Sequence, residues 1–141
     1  MQWDIDTIGR FGFKVGTSFK PQWFTLWRKD DHYNLQLFKM FEHGDMVKGD
    51  DDISLELGAE VITHAVDDGH LAEWENAYRA EGESDLPDGF TWSLDIADLD
   101  GEELCITHGV GALPPAEWLA GVLAAVRRAD PEFGKGYDFL G

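Results

Sequence analysis

The sequence predicts an α+β fold: a single domain over residues 1–141, with an antiparallel sheet built from hairpins, one long C-terminal helix and one shorter helix. Apolar residues alternate with polar ones along most patterned segments, as in half-buried strands, and only two segments have apolar residues at helical spacing. The length of 141 residues suits one domain, and 43% hydrophobic residues can form a core without disulfides or metals.

The first third of the chain predicts three strands. Phe11 to Phe19 alternates large side chains with glycine and polar residues, which predicts a strand with one bare face. After Pro21, residues 23–41 predict a hairpin with a four-residue loop over Lys29–His32. That loop pairs apolar residues on one face, Phe24 with Leu37 and Leu26 with Leu35. The other face carries Trp23, Trp27, Phe38 and Met40, so the hairpin either lies inside the protein or binds a partner through this face.

The middle of the chain predicts a loop, two short strands and a short helix. Residues 42–52 are polar and contain two glycines, which favours a loop. Residues 53–57 alternate as a strand, and residues 61–66 predict another. Asp67 and Asp68 are typical N-caps of a helix that ends at Gly82. The apolar residues at helical spacing in that segment are Leu71, Trp74 and Tyr78.

The last third predicts a hairpin and the long helix. Residues 90–96 alternate cleanly, and a three-residue loop, Leu99–Gly101, follows, with Gly101 in the left-handed position. This loop pairs Ile96 with Leu104, Leu94 with Ile106 and Trp92 with His108. Pro114 and Pro115 suit the first turn of the last helix, and Pro131 stops it. Its apolar stripe is Trp118, Leu119, Val122, Leu123 and Val126. The tail, with Tyr137, Phe139 and Leu140, is expected to dock on the core.

The charge is concentrated in the middle of the chain. The formal net charge is −17, and residues 49–108 alone hold 18 acidic residues and one basic residue, a net of −17. Such a polyanion is repelled by nucleic acid and by anionic lipid, which argues against direct binding to either. We find no apolar run that could span a bilayer and no signal-peptide pattern at the N-terminus. The single cysteine fits a reducing compartment, so the expected location is the cytoplasm.

No catalytic or metal-binding signature stands out. His64 and His70 flank Asp67 and Asp68, and Cys105 precedes His108 by three residues, but neither group supplies the three or four ligands of a zinc site. The Asp98-to-Gly101 turn departs from a calcium loop at both ends. The sequence therefore predicts no metal and no cofactor, and a protein that is not an enzyme.

The acidic middle predicts a small binding or inhibitor protein. It would occupy the basic surface of a partner, as a nucleic-acid mimic does with a nucleic-acid-processing protein. The residues expected to carry the contact are Asp50, Asp51, Asp52, Asp67, Asp68, Asp95, Asp98, Glu102 and Glu103. One alternative is an immunity or accessory protein that binds through the aromatic hairpin face. Another is a small enzyme or ligand-binding domain with a pocket between sheet and helix, where His108 beside Trp92 is the first candidate.

Overall fold

The computed structural model describes residues 4–41, 44–80 and 86–140. Within these residues it has a seven-stranded sheet and two α-helices, in strand order β4-β3-β2-β1-β6-β7-β5. The elements in chain order are β1 Ile8–Gly16, β2 Gln22–Arg28, β3 His32–Met40, β4 Met46–Ser54, α1 Leu55–Asp68, β5 Ala77–Arg79, β6 Thr91–Asp98, β7 Glu103–Val110 and α2 Ala116–Val126. Single 3₁₀ turns cover Ile5–Thr7, Leu71–Glu73 and Asp138–Leu140.

The predicted α+β class is confirmed, with two corrections. The sheet is mixed, because β5 pairs with β7 in parallel while every other described pair is antiparallel. The longer helix is α1 with 14 residues, and the C-terminal helix α2 has 11. The prediction that the C-terminal helix is the longer of the two was therefore wrong.

The hairpin of β2 and β3 has the predicted register. Phe24 lies opposite Leu37 and Leu26 lies opposite Leu35. The first strand ends earlier than predicted, at Gly16, whose φ of +126° takes the chain out of extended geometry before Phe19.

The middle of the chain departs most from the prediction. The predicted loop over residues 42–52 contains strand β4, which pairs with β3 along its whole length, although residues 42 and 43 lie outside the described part. The segments predicted as strands, 53–57 and 61–66, fall mainly in helix α1, where Ser54 caps the start by accepting the Leu57 N–H. Charged residues are typical of an edge strand such as β4. Its polar sequence therefore has the same pattern as a loop, which explains the wrong prediction.

The predicted short helix after Asp67 and Asp68 was also wrong. Both residues belong to the last turn of α1 instead of capping a new helix. Leu71 lies in a 3₁₀ turn, Trp74 follows it, and Tyr78 belongs to β5. The predicted helix end at Gly82 lies outside the described residues.

The β6–β7 hairpin has a register one residue away from the prediction. The observed pairs are Ile96 with Cys105, Leu94 with Thr107 and Trp92 with Gly109. A bulge between Ile96 and Ala97 absorbs the extra residue. Gly101 does adopt the predicted left-handed geometry, with φ +86°. The shift turns the even-numbered residues of β7, including Ile106 and His108, away from the core.

The core lies between one face of the sheet and the two helices. Most residues of β1, β2, β3 and β6 that point to the helices are apolar, and the row Leu94, Phe13, Phe24 and Leu37 is an example. Buried exceptions are Gln22 and Lys39, which pair at one end of β2 and β3. Helices α1 and α2 pack on each other, and their buried residues belong to one core cluster with this face of the sheet. Helix α2 begins at Ala116, so the two prolines predicted in its first turn directly precede the helix instead. The predicted docking of the tail is confirmed by buried Tyr137 and Leu140.

A buried ion pair ties β3 to the tail. Lys39 Nζ lies 2.5 Å from Asp130 Oδ1, and both side chains are 6% exposed. The second carboxylate oxygen of Asp130, Oδ2, has no hydrogen-bond partner in the described part of the chain. Burying two charges is unfavourable unless they stay together, so each depends on the other.

We predict that Lys39→Met destabilises the protein by about 3–5 kcal/mol, because it leaves the Asp130 carboxylate buried and unpaired. The double variant Lys39→Met/Asp130→Leu should recover most of that loss. Urea unfolding measures both. A double variant as unstable as the single one would contradict this account of the pair.

We also predict that Gly121→Ala destabilises the protein, although alanine favours a helix by about 1 kcal/mol. A Cβ at Gly121 would overlap the backbone of Asp68 and Gly69 at the crossing of α1 and α2. Pushing the helices apart should cost about 1–3 kcal/mol. Thermal unfolding checks the sign, and a stabilised variant would show that the helices separate without cost.

Candidate binding surface

The sheet face opposite the helices is called here the open face, because no described helix or loop segment packs over its centre. Residues that pair across antiparallel strands share a face, so the register places three rows on it. The first row is Lys48, Phe38, Trp23, Lys14 and Ser93. The middle row is Asp50, Gln36, Thr25, Gly12 and Asp95. The third row is Asp52, Asn34, Trp27 and Arg10, followed by Ala97.

The predicted aromatic hairpin face lies on this open face. The rings of Trp23 and Phe38 stack with centroids 4.3 Å apart and planes 15° from parallel. Trp27 is 36% exposed, and Met40 is half-buried at the end of β3. Cations cover part of the rings: Lys14 Nζ lies 5.8 Å from the Trp23 centroid, and Arg10 Cζ lies 5.6 Å from that of Trp27. These aromatic side chains are therefore oriented before any partner arrives.

A channel crosses the open face between the two tryptophans. It has a volume of about 530 Å³, and its floor is formed by the small middle-row residues Gly12 and Thr25. A Cβ at Gly12 would lie only 3.0 Å from Asp95 Oδ1, so glycine keeps this floor low. Trp23 and Trp27 form the walls. The middle row carries one carboxylate on β4, Asp50, and another on β6, Asp95, and it continues beyond Asp95 to Ile106 on β7.

Arg10 holds two of the acidic residues on the open face. Its Nε donates to Asp95 Oδ1 at 3.2 Å, and its second terminal nitrogen donates to Glu103 Oε1 at 2.5 Å. Burial alone would lower the pKa of Arg10, but the two carboxylates outweigh that effect and raise it above its ordinary value. The pairing joins β1, β6 and β7 on one surface and fixes the position of both carboxylates.

The nine acidic residues predicted as a contact surface are not on one face. Asp50 and Asp52 lie on the open face of β4, where Asn34 Nδ2 donates to Asp50 Oδ1 at 2.7 Å, while Asp51 points to the other side. Asp95 and Glu103 accept from Arg10 on the same open face.

The remaining acidic residues lie elsewhere. Asp67 and Asp68 are at the end of α1 in the helical layer, and Asp68 contacts His64. Asp98 and Glu102 are at the tip of the β6–β7 hairpin, where Asp98 accepts the Asp100 and Glu102 N–H groups. Only four of the nine therefore belong to the open face.

The structure does not bring together the histidines that the sequence offered for catalysis or metal binding. His108 is exposed opposite Ser93 on β7 and does not lie beside Trp92, because of the register shift. His64 and His70 contact Asp68 and Glu73, respectively, within the helical layer. Among the described residues, no group of three histidine, cysteine or acidic side chains is arranged to hold a metal ion.

Sequence reasoning missed two functional positions, Arg10 and Gly12. The alternation of glycine with large residues in β1 was the available signal, since it predicts a bare sheet face. It could not show that the bare face would be opposite the helices, or that Arg10 would reach carboxylates more than eighty residues away. Those facts depend on the pairing of β1 with β6.

No known family model matches the chain, and no curated protein is detectably similar to it. In the described ranges, no helix is long and apolar enough to cross a membrane.

We predict that Cys105 reacts slowly with alkylating agents. Burial raises the pKa of its thiol, and the nearby carboxylates of Glu103 and Asp95 raise it further. A raised pKa lowers the thiolate fraction at every pH below it, and thiolate is the nucleophile. The rate of reaction with iodoacetamide should rise at a higher pH than for free cysteine, and Glu103→Gln should shift that rise towards lower pH. A rate at pH 8 equal to that of free cysteine would contradict this.

Proposed function

We propose that this protein is a non-enzymatic binding protein that docks on the basic surface of a partner protein through its open face. The single observation that carries the proposal is the exposed channel between Trp23 and Trp27, which Asp95 lines at one end and whose row continues past Gln36 to Asp50 on β4. A sheet face built only for solubility would be polar along its whole width. This one keeps large aromatic side chains at its centre.

The centre of the open face has the composition of a binding hot spot. Tryptophan is enriched among the few interface residues that contribute most of the binding energy. The stacking of Trp23 on Phe38 fixes both rings before binding, so little side-chain freedom remains to be lost. The apolar centre supplies the affinity.

The borders of the open face carry the charge. Asp50 and Asp95 are separated by four strand spacings of ~4.8 Å, about 19 Å in all. Arg10 neutralises part of the border formed by Asp95 and Glu103, whereas Asp50 accepts a hydrogen bond from the Asn34 amide and Asp52 Oδ1 lies 3.3 Å from His32 Nε2. A partner surface with an apolar ridge and basic flanks would complement this arrangement. The net charge of −17 would speed the encounter and make its rate sensitive to salt.

A nucleic-acid-processing protein is the first partner class to test, because its groove combines lysine, arginine and aromatic side chains. A broad mimic of nucleic acid would use the whole acidic middle, including Asp67 and Asp68 on the helical layer. Binding through the open face would not use those two residues. This difference separates the two versions of the proposal.

We predict that Trp27→Ala weakens partner binding by about 2 kcal/mol, a factor of about 30, because truncating a tryptophan hot spot typically costs that much. The partner is captured from a lysate of the source cells at low and high salt, identified and purified. Its affinity is then measured by isothermal titration calorimetry. Full affinity in Trp27→Ala would overturn the role of the open face.

Two matched double variants test how much the acidic residues contribute to the rate of association. Asp50→Lys/Asp52→Lys should slow association several-fold and reduce its salt dependence. Asp67→Lys/Asp68→Lys makes the same change in charge at the end of α1 and should slow association much less. Equal damage from both variants would favour the broad mimic over docking through the open face.

A further inference from the structure

The edge of the sheet at β7 is only partly covered. Strand β5 pairs with His108, Gly109 and Val110 of β7, but not with the residues of β7 that precede His108. His108 N–H donates to the Asn76 carbonyl, and the Val110 carbonyl accepts the Ala80 N–H, so alternate residues of β7 direct their backbone groups outward. By the same alternation, the outward N–H and C=O groups of Leu104 and Ile106 face no strand within the described residues.

A groove of about 520 Å³ runs beside these outward groups. Leu71 and Trp74 line one side of the groove, and Cys105 lines the other. Leu104 and Ile106 are 37% and 54% exposed along its rim. The opposite edge of the sheet, β4, carries the acidic run Asp50–Asp52, which blocks association with another strand. The β7 edge has no such protection between Leu104 and Ile106.

The charge around the groove selects its occupant. Its lining includes Glu103 and His108 but no lysine or arginine, and Glu73 and Glu75 lie in the adjoining segment. A second copy of this chain would bring a further net charge of −17 to the same edge, which disfavours self-association. The complementary occupant is an extended segment with apolar side chains and positive charge.

We propose that an extended basic and apolar segment of a partner protein adds as a strand to the β7 edge at Leu104–Ile106. Its backbone would bond to the outward groups of these two residues, and its apolar side chains would cover Trp74 and Ile106. Strand addition of this kind takes affinity from main-chain hydrogen bonds and specificity from alternate side chains. The site is distinct from the channel on the open face and goes beyond the proposed function.

The test uses a fluorescein-labelled six-residue peptide that alternates lysine and valine, titrated into the full chain at low salt. We expect saturable binding, and no binding of the counterpart that alternates glutamate and valine. Leu104→Ala/Ile106→Ala should weaken binding at least tenfold. The matched control is Val110→Ala, an exposed residue of the same strand whose edge β5 already covers, and it should bind within twofold of the parent.

Two N-methylated peptides test whether main-chain hydrogen bonds contribute to peptide binding. One peptide has its odd-numbered amides methylated and the other has its even-numbered amides methylated. One should bind nearly as well as the parent peptide and the other at least tenfold more weakly, because only one set of amides faces the edge. Saturating peptide should also slow hydrogen exchange at the Leu104 and Ile106 amides. Trp27→Ala should leave all of these results unchanged, which keeps this test separate from that of the open face.

Any of five outcomes would overturn the proposal. The lysine–valine peptide fails to bind, or the glutamate–valine peptide binds equally well. Both N-methylated peptides bind alike, or exchange at Leu104 and Ile106 is unaffected. The free chain sediments as a dimer that Leu104→Ala/Ile106→Ala dissociates, which would make the occupant of this edge a second copy.

Discussion

The one-sided burial of the sheet is the constraint on which the other features depend. Helices α1 and α2 and the C-terminal tail cover one face and bury its large apolar side chains, at roughly 25 cal/mol for each Å² removed from water. Within the described part of the chain, no helix or loop packs over the centre of the opposite face of the sheet. The contacts found there for Trp23, Trp27 and Phe38 are with neighbours within the sheet, so these residues form a surface in place of a core.

The negative charge follows from the same arrangement. Several described acidic residues of the middle of the chain occupy places that a one-sided sheet leaves in water: Asp50–Asp52 on an edge strand, Asp67 and Asp68 at the end of a helix, and Asp98 and Glu102 at a hairpin tip. Asp95 and Glu103 are different, because both contact Arg10, whose charge offsets their mutual repulsion. The electrostatic field of the molecule is therefore broad, while its ordered carboxylates are few and are held at the borders of the open face.

The sequence predicted features that depend on local pairing and missed those that depend on context. The register of β2 on β3 could be predicted because one loop length aligned the apolar residues on both strands. The strand β4 could not, since three consecutive aspartates have the same pattern in an edge strand as in a loop. Leu55 and Leu57 fit a strand or a helix equally well, and the structure places both in the helix that Ser54 caps. A single bulge after Ile96 then moved His108 away from Trp92 and removed the predicted pocket candidate.

The claim that the open face is uncovered in solution can be tested without any partner. A soluble paramagnetic agent broadens the NMR signals of indole N–H groups that reach water. Trp27 should broaden strongly, whereas Trp74 and Trp92 should not, because their indole N–H groups are hydrogen-bonded to the Gly69 and Ala112 carbonyls in the buried layer. Protection of Trp27 equal to that of Trp92 would show that another segment or another copy covers this face, and would contradict the account.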